Sequence, residues 1–220
     1  MSDPSVPVLY EDEAQLVFYK PAGLLTIPTD KGNDRSLDQL VNEIHKVTGG
    51  LHPAHRLDRD TSGVILFAKG KENQQLLMQL FKEKKVKKQY LAFVHGRVEK
   101  EEGTIRIPIK DFYQRKFNRN MPAQSALTHY RVRDYYSDFT VVDVMPITGR
   151  TNQIRIHFTK LGHPLVGEDK YAFRKDFTLR FRRTALHAAS LEWPHPKTQK
   201  TIRVQAELAA DMQDFLSKHS

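Results

Sequence analysis

His55-Arg56-Leu57-Asp58-Arg59-Asp60-Thr61-Ser62-Gly63-Val64-Ile65-Leu66-Phe67-Ala68 joins two kinds of sequence with no interval between them. The first part is polar and turn-forming, and the last five residues are an unbroken apolar run. Such a run, short and bounded by glycine, predicts a fully buried strand over residues 64–68. The loop ahead of it sets one short carboxylate, Asp58, between Arg56 and Arg59. A carboxylate in that setting can be held ionised, aimed and shielded from water, which a nucleophile or a base requires. A surface loop with local ion pairs has the same composition. The choice between the two readings rests on the rest of the chain.

Ahead of the loop, residues 16–19 read as a short strand closed by Lys20-Pro21-Ala22-Gly23. Ser36 has the look of an N-cap, and Gln39 completes a capping box. Leu37, Leu40, Val41, Ile44 and Val47 follow at helical spacing, and Gly49-Gly50 stops the helix. After the loop, residues 72–81 read as a helix with Leu76, Leu77, Leu80 and Phe81 on one face. Its tail is polycationic, with Lys82, Lys84, Lys85, Lys87 and Lys88 in quick succession. Strands are predicted over 90–95, 104–109, 126–132 and 139–145. Residues 153–158 alternate and predict a further strand, with Ile154, Ile156 and Phe158 on one face and Arg155 and His157 on the other. Strands over 185–193 and 201–204 and a helix over 208–216 complete the chain. Strands outnumber helices and cluster late, so the expected class is α+β with a mixed, mostly antiparallel sheet and flanking helices. Residues 111–125, polar, basic and aromatic, read as a loop or insertion. One domain spanning 1–220 is the simplest count.

The 220 residues carry a net charge of +9, which favours a polyanionic partner such as nucleic acid. No cysteine is present, which excludes disulfides, thiolate zinc sites and thiol catalysis together. No window is long and apolar enough to cross a membrane, and the first residues lack a secretory pattern, so the expected compartment is the cytoplasm. The ten histidines are scattered without metal-ligand spacing, and no P-loop or dinucleotide fingerprint occurs, so neither a metal nor a cofactor is expected. A Ser/His/Asp triad from Ser62, His55 and Asp58 is rejected, since no nucleophile elbow surrounds the serine.

The motif H-R-L-D-x-x-T-S-G at 55–63 resembles the signature of the RluA-type pseudouridine synthases. Three further segments resemble that family in the same order: Lys20-Pro21-Ala22-Gly23-Leu24, Lys88-Gln89-Tyr90, and Gly149-Arg150-Thr151-Asn152-Gln153-Ile154-Arg155-Ile156-His157. Leu161-Gly162-His163-Pro164-Leu165, Gly167-Glu168-Asp169, Leu186-His187-Ala188 and His195-Pro196 extend the similarity. It implies the pseudouridine synthase fold with a central RNA-binding cleft, and isomerisation of specific uridines in ribosomal or transfer RNA without a cofactor.

The resemblance also implies roles. Asp58 is the catalytic carboxylate, which either attacks the anomeric carbon of the ribose or abstracts its 2′ proton. Arg155 stands against the aspartate and keeps it charged. Tyr90 stacks on the flipped uracil with its hydroxyl near the site of proton exchange; a phenol with a pKa of about 10 is a poor base at neutral pH, which favours stacking over the alternative of proton transfer. Arg56 fills the space that the extruded nucleotide vacates, offsetting part of the cost of flipping. His55 and Thr61, with Ser62 and Gly63, shape the loop, and Leu186 packs against the base or in the core. Lys82, Lys84, Lys85, Lys87 and Lys88 are expected to contact phosphates, as are Arg115, Lys116, Arg119, Arg174, Lys175, Arg180, Arg182 and Arg183. Tyr113, Phe117, Phe173 and Phe177 interleave with these cations and offer stacking surfaces. Asn152 departs from the histidine common at that position. A preceding small RNA-binding domain is absent from the sequence, so recognition of a compact stem-loop by the catalytic domain of a monomer is the expectation. The alternative is a non-catalytic RNA-binding module on the same fold.

Overall fold

The computed structural model describes residues 6–29, 35–110, 122–172 and 179–219. In chain order the elements are β1 (Val8–Glu11), β2 (Gln15–Lys20), α1 (Leu37–His45), β3 (Leu51–Pro53), β4 (Ser62–Lys69), α2 (Gly70–Lys82), β5 (Lys87–His95), β6 (Glu102–Ile105), β7 (Thr128–Tyr135), β8 (Phe139–Pro146), α3 (Gln153–Lys160), β9 (Leu186–Pro194), β10 (Thr201–Gln205) and α4 (Ala210–His219). They fall into two compact units, one from Met1–Lys88 and His187–Lys218 and one largely from Gln89–Leu186.

In the first unit β4 is the organising strand, buried over all but its last residue. It pairs antiparallel with β2, and at its C-terminal end antiparallel with β3. At its N-terminal end it pairs in parallel with β9, Ser62 opposite His187 and Gly63 opposite Ala188. A strand flanked on both edges and covered on its faces has no use for polar side chains, which is why 64–68 is uniformly apolar. β1 extends the sheet beyond β2, and β10 pairs with β9. The core joins Val17, Val64, Leu66, Leu77, Leu191 and Trp193. The second unit is an antiparallel sheet in the order β5-β8-β7-β6. Its core collects Ala92, Val94, Val142, Val144, Ile154, Phe158 and Leu186. The α+β class and the mixed, mostly antiparallel pairing are thus present.

The capping box of α1 forms as expected. The Ser36 hydroxyl accepts from the Gln39 backbone N–H, and the Gln39 side chain accepts from the Ser36 N–H. The helix ends earlier than the periodicity suggests. Lys46 takes a left-handed conformation at φ 45° and leaves Val47 outside. At the end of α2, Lys84 is left-handed at φ 59°. Its N–H donates to the Phe81 carbonyl, and that of Lys85 to the Leu80 carbonyl. This is a Schellman closure with lysine where glycine is usual. On α2, Leu77 and Leu80 are buried, whereas Leu76 is exposed, so the apolar stripe is narrower than the sequence implies.

The predicted strand over 153–158 is a helix, α3. Six alternating residues are too few to separate the two periods: Ile154 and Phe158 stand four apart, as do Gln153 and His157, and both spacings suit a helix face. Polar contacts then lock α3 in place. The Gln153 Nε2 donates to the Leu127 carbonyl and the Thr128 hydroxyl, while its Oε1 accepts from the Arg150 N–H and the Thr148 hydroxyl. The buried His157 bridges the Thr128 hydroxyl and the Ile107 carbonyl. Burial holds the imidazole pKa of His157 below its usual value, which keeps one nitrogen an acceptor.

Candidate active site

Asp58 lies half-buried in the loop between β3 and β4, and burial alternates around it: Arg56 exposed, Leu57 buried, Arg59 exposed. Three groups from the same unit hold the loop at its backbone, and two side-chain contacts anchor its ends. Lys20, at the end of β2, is fully buried and its ammonium donates to the carbonyls of Pro21, Leu24 and Arg59 at 2.7–2.9 Å. A buried ammonium is tolerated when its hydrogens are met by acceptors in this way. Gly23 donates its N–H to the same Arg59 carbonyl. The Thr26 hydroxyl both donates to the Leu57 carbonyl and accepts from the Leu57 N–H. His55 Nε2 accepts from the Leu66 N–H at 3.1 Å, and its ring packs on Phe81. At the far end, His187 on β9 places its Nδ1 2.9 Å from the hydroxyl of the buried Ser62, the first residue of β4. Inside the loop, the Thr61 N–H closes a turn on the Asp58 carbonyl.

Lys20 carries no role legible in the sequence beyond its place in the Lys20-Pro21-Ala22-Gly23 segment. A short K-P-x-G strand end signals a turn, not the buried cation that ties residues 20–24 to a loop 39 positions away.

His55 supports the carboxylate loop and must be neutral to do so. Burial, reinforced by the charge of Lys88, lowers its pKa from 6.5 to about 3. Lys88 is itself lowered to about 8 by burial. Between pH 6.5 and about 3 the unfolded chain binds a proton at His55 that the folded chain refuses, so stability falls as pH falls through that window. The slope contributed is at most about 1.4 kcal/mol per pH unit. His55→Gln, which can still accept the Leu66 N–H and does not titrate, should flatten the fall. Urea midpoints measured from pH 7 to pH 4 check this, and identical slopes for the two proteins would remove His55 from the account.

In the second unit Tyr90 stands on β5 opposite Val144, half-buried against the core of that unit. Leu186 is buried within the same core. Arg155 lies on α3 instead of on a strand, and its buried guanidinium forms a two-point pair with Glu168. Nε donates to Oε2 and Nη2 to Oε1, each at 2.7 Å. Glu168 also accepts the N–H groups of Lys170 and Tyr171 on Oε1. Burial opposes ionisation of Glu168, but the hydrogen bonds and charge of Arg155 outweigh it and hold the carboxyl below its usual range. Asn152, just ahead of α3, is left-handed at φ 54°, a conformation asparagine tolerates better than most residues. Its amide donates to the Tyr171 hydroxyl at 2.8 Å. The substitution at this position therefore joins Asn152 to the segment that carries Glu168.

Among the expected phosphate contacts, Lys82, Lys84, Lys85 and Lys87 are exposed and Lys88 is half-buried. Lys85 pairs with Glu83 and Lys87 with Glu192 at the surface. Arg180 and Arg182 are accessible, whereas Arg183 is buried and donates to the carbonyls of Thr184 and Leu186, so it is removed from the phosphate set. Tyr113, Arg115, Lys116, Phe117, Arg119, Phe173, Arg174, Lys175 and Phe177 lie outside the described residues.

Residues 15–160 match the RNA pseudouridylate synthase family, and the chain belongs to it. It is 38% identical to the dual-specificity RNA pseudouridine synthase RluA of Pasteurella multocida, over 93% of this chain and 94% of that protein. It is 34% identical to the protein of the same name from Vibrio cholerae, over 99% and 89%, and 34% identical to the ribosomal large subunit pseudouridine synthase C of Buchnera aphidicola, over 91% and 66%. The solved structure of human RNA Pseudouridylate Synthase Domain Containing 4 has the same fold, with a TM-score of 0.79 at 23% identity over 96% of this chain and 92% of that one. The activity is that of an isomerase, forming pseudouridine in RNA. No helix among the described residues is long and apolar enough to cross a membrane.

Proposed function

We propose that this enzyme converts uridines within a stem-loop of ribosomal or transfer RNA, and that Asp58 is the carboxylate that initiates the reaction. The observation carrying this reading is the clamping of the loop around Asp58. Lys20, Gly23 and Thr26 hold its backbone on both sides of Asp58, and His55 and Ser62 anchor its ends through their side chains. A loop used only for connection has no call for a fully buried lysine. Preorganisation of this kind is what a reacting group needs.

The N1–C1′ bond of the target nucleotide breaks, the uracil turns, and a C5–C1′ bond forms. C5 gives up its proton and N1 acquires one, so the atoms balance without another reactant. Asp58 either attacks C1′ or takes the 2′ proton, and both routes require it ionised. Tyr90 stacks on the uracil, Arg155 stabilises negative charge, and Arg56 occupies the gap left in the RNA. Leu186 packs with Tyr90 in the core of the second unit, while His55 and Thr61 keep the loop in shape. The names of the Buchnera and Pasteurella relatives, one for the ribosomal large subunit and one for dual specificity, support ribosomal RNA and more than one RNA class as targets. The basic balance supports a polyanion as partner, and the protein acts as a cytoplasmic monomer.

Incubating transfer and ribosomal RNA transcripts with the protein and mapping carbodiimide adducts by reverse transcription tests the reading. Discrete pseudouridines are expected; tight binding without product would leave a binding module in its place. Replacing Lys84, Lys85, Lys87 and Lys88 by alanine should weaken RNA binding and reduce the slope of log K against log salt by about 3. Exposed ion pairs such as Lys87 with Glu192 cost little to break, so they do not stop these lysines from meeting phosphates. Filter binding from 50 to 300 mM salt (about a sixfold range) measures the slope. An unchanged slope takes the cluster out of the interface.

A further inference from the structure

We propose that Glu168 is the positioning residue for Arg155, fixing the plane and reach of its guanidinium for the uridine isomerisation. This inference rests on the reading that Arg155 serves the reaction. Arginine has five donor hydrogens in a rigid fork, and a free side chain samples many rotamers. Here Glu168 takes the Nε hydrogen and one Nη2 hydrogen at 2.7 Å each, which is the two-point geometry that defines a guanidinium plane. The carboxylate is pinned in turn. Oε1 accepts the N–H groups of Lys170 at 2.9 Å and Tyr171 at 3.1 Å. The Tyr171 hydroxyl is tied back to Asn152, one helical turn ahead of Arg155.

The arrangement is a closed ring: Arg155 to Glu168, Glu168 to the backbone of Tyr171, Tyr171 to Asn152, and Asn152 to the start of α3. Arg155 and Glu168 have side chains 11% and 1% exposed, so water does not compete for the bonds. A guanidinium held this way keeps the hydrogens of Nη1 directed away from Glu168. A surface pair formed for stability alone would not need two backbone N–H donors on the acid. Misplacement of a reacting or stabilising group by about 1 Å costs on the order of 100-fold in rate, and that is the loss expected when Glu168 is changed.

Single-turnover pseudouridine formation, RNA affinity and thermal melting should be measured for the wild type, Glu168→Gln, Glu168→Asp, Arg155→Ala and the double variant Arg155→Ala with Glu168→Gln. Glu168→Gln should lose about 100-fold in rate at saturating RNA with affinity nearly unchanged. In the Arg155→Ala background the same change should cost nothing more, because there is no guanidinium left to orient. Glu168→Asp retains the charge and secures folding where Glu168→Gln fails to fold, yet it is one methylene short of making both bonds. It should fold normally and still lose rate. Millimolar guanidinium should restore turnover to Arg155→Ala and fail to restore the double variant. Full activity of Glu168→Gln or of a well-folded Glu168→Asp overturns the proposal, as does a loss that adds in full to that of Arg155→Ala. Full activity of Arg155→Ala would instead overturn the role of Arg155 on which it rests.

Discussion

Asp58→Asn should lower single-turnover formation of pseudouridine by about 1,000-fold or more while the protein still folds and binds RNA. The substitution keeps the shape of the side chain and removes its charge. An amide neither attacks C1′ nor accepts the 2′ proton. Loss of a general base costs about 10²–10⁴-fold, and loss of a nucleophile costs more. Folding should survive because the loop is held through backbone groups of Leu57, Arg59 and Leu66, all of which the substitution leaves in place. Tritium release from RNA labelled at uridine C5 follows the rate, and filter binding follows affinity. A rate within tenfold of the wild type would take Asp58 out of the chemistry.

Gly63→Ala should be among the most destabilising single-methyl changes in the chain. Gly63 sits at φ 108°, where a β-carbon is strained in any surroundings. A methyl there would also lie 2.2 Å from the Ala188 carbonyl oxygen and 2.8 Å from its carbon, both backbone atoms of β9. Neither can rotate away, so β4 and β9 would have to part at Ser62 and Gly63, the two positions where they pair. Strain and overpacking together come to about 3 kcal/mol, which corresponds to a melting midpoint lower by roughly 6–12 °C. The Ser62–His187 bond lies at the same junction. Activity should therefore fall with stability, since the loop carrying Asp58 enters β4 here. Calorimetry with the assay above checks both; a midpoint within about 2 °C of the wild type would mean that the strands accommodate the methyl.

The buried strand β4 and the capped start of α1 were legible because local chemistry decides them. Val64 to Ala68 has no polar face to offer water, and Ser36 with Gln39 satisfies its own helix end. The short strands β1 and β3 carry no such signal; they exist through pairing with β2 and β4. The segment at 153–158 failed for a related reason. Six residues satisfy either period, and the helix is chosen by Gln153 and His157 meeting Thr128, Leu127 and Ile107 on distant segments.

The same division runs through the site. Sequence by itself determined the family, the α+β class and the loop that carries Asp58, because these rest on residue types in fixed local order. Only the tertiary structure decided that Lys20 is buried beneath that loop, that His187 reaches Ser62, and that Arg155 is gripped by Glu168. Each of these joins residues from 13 to 125 positions apart. A charged or polar group removed from water must find its partner wherever the folded chain brings one, and separation along the chain does not tell which partner that is.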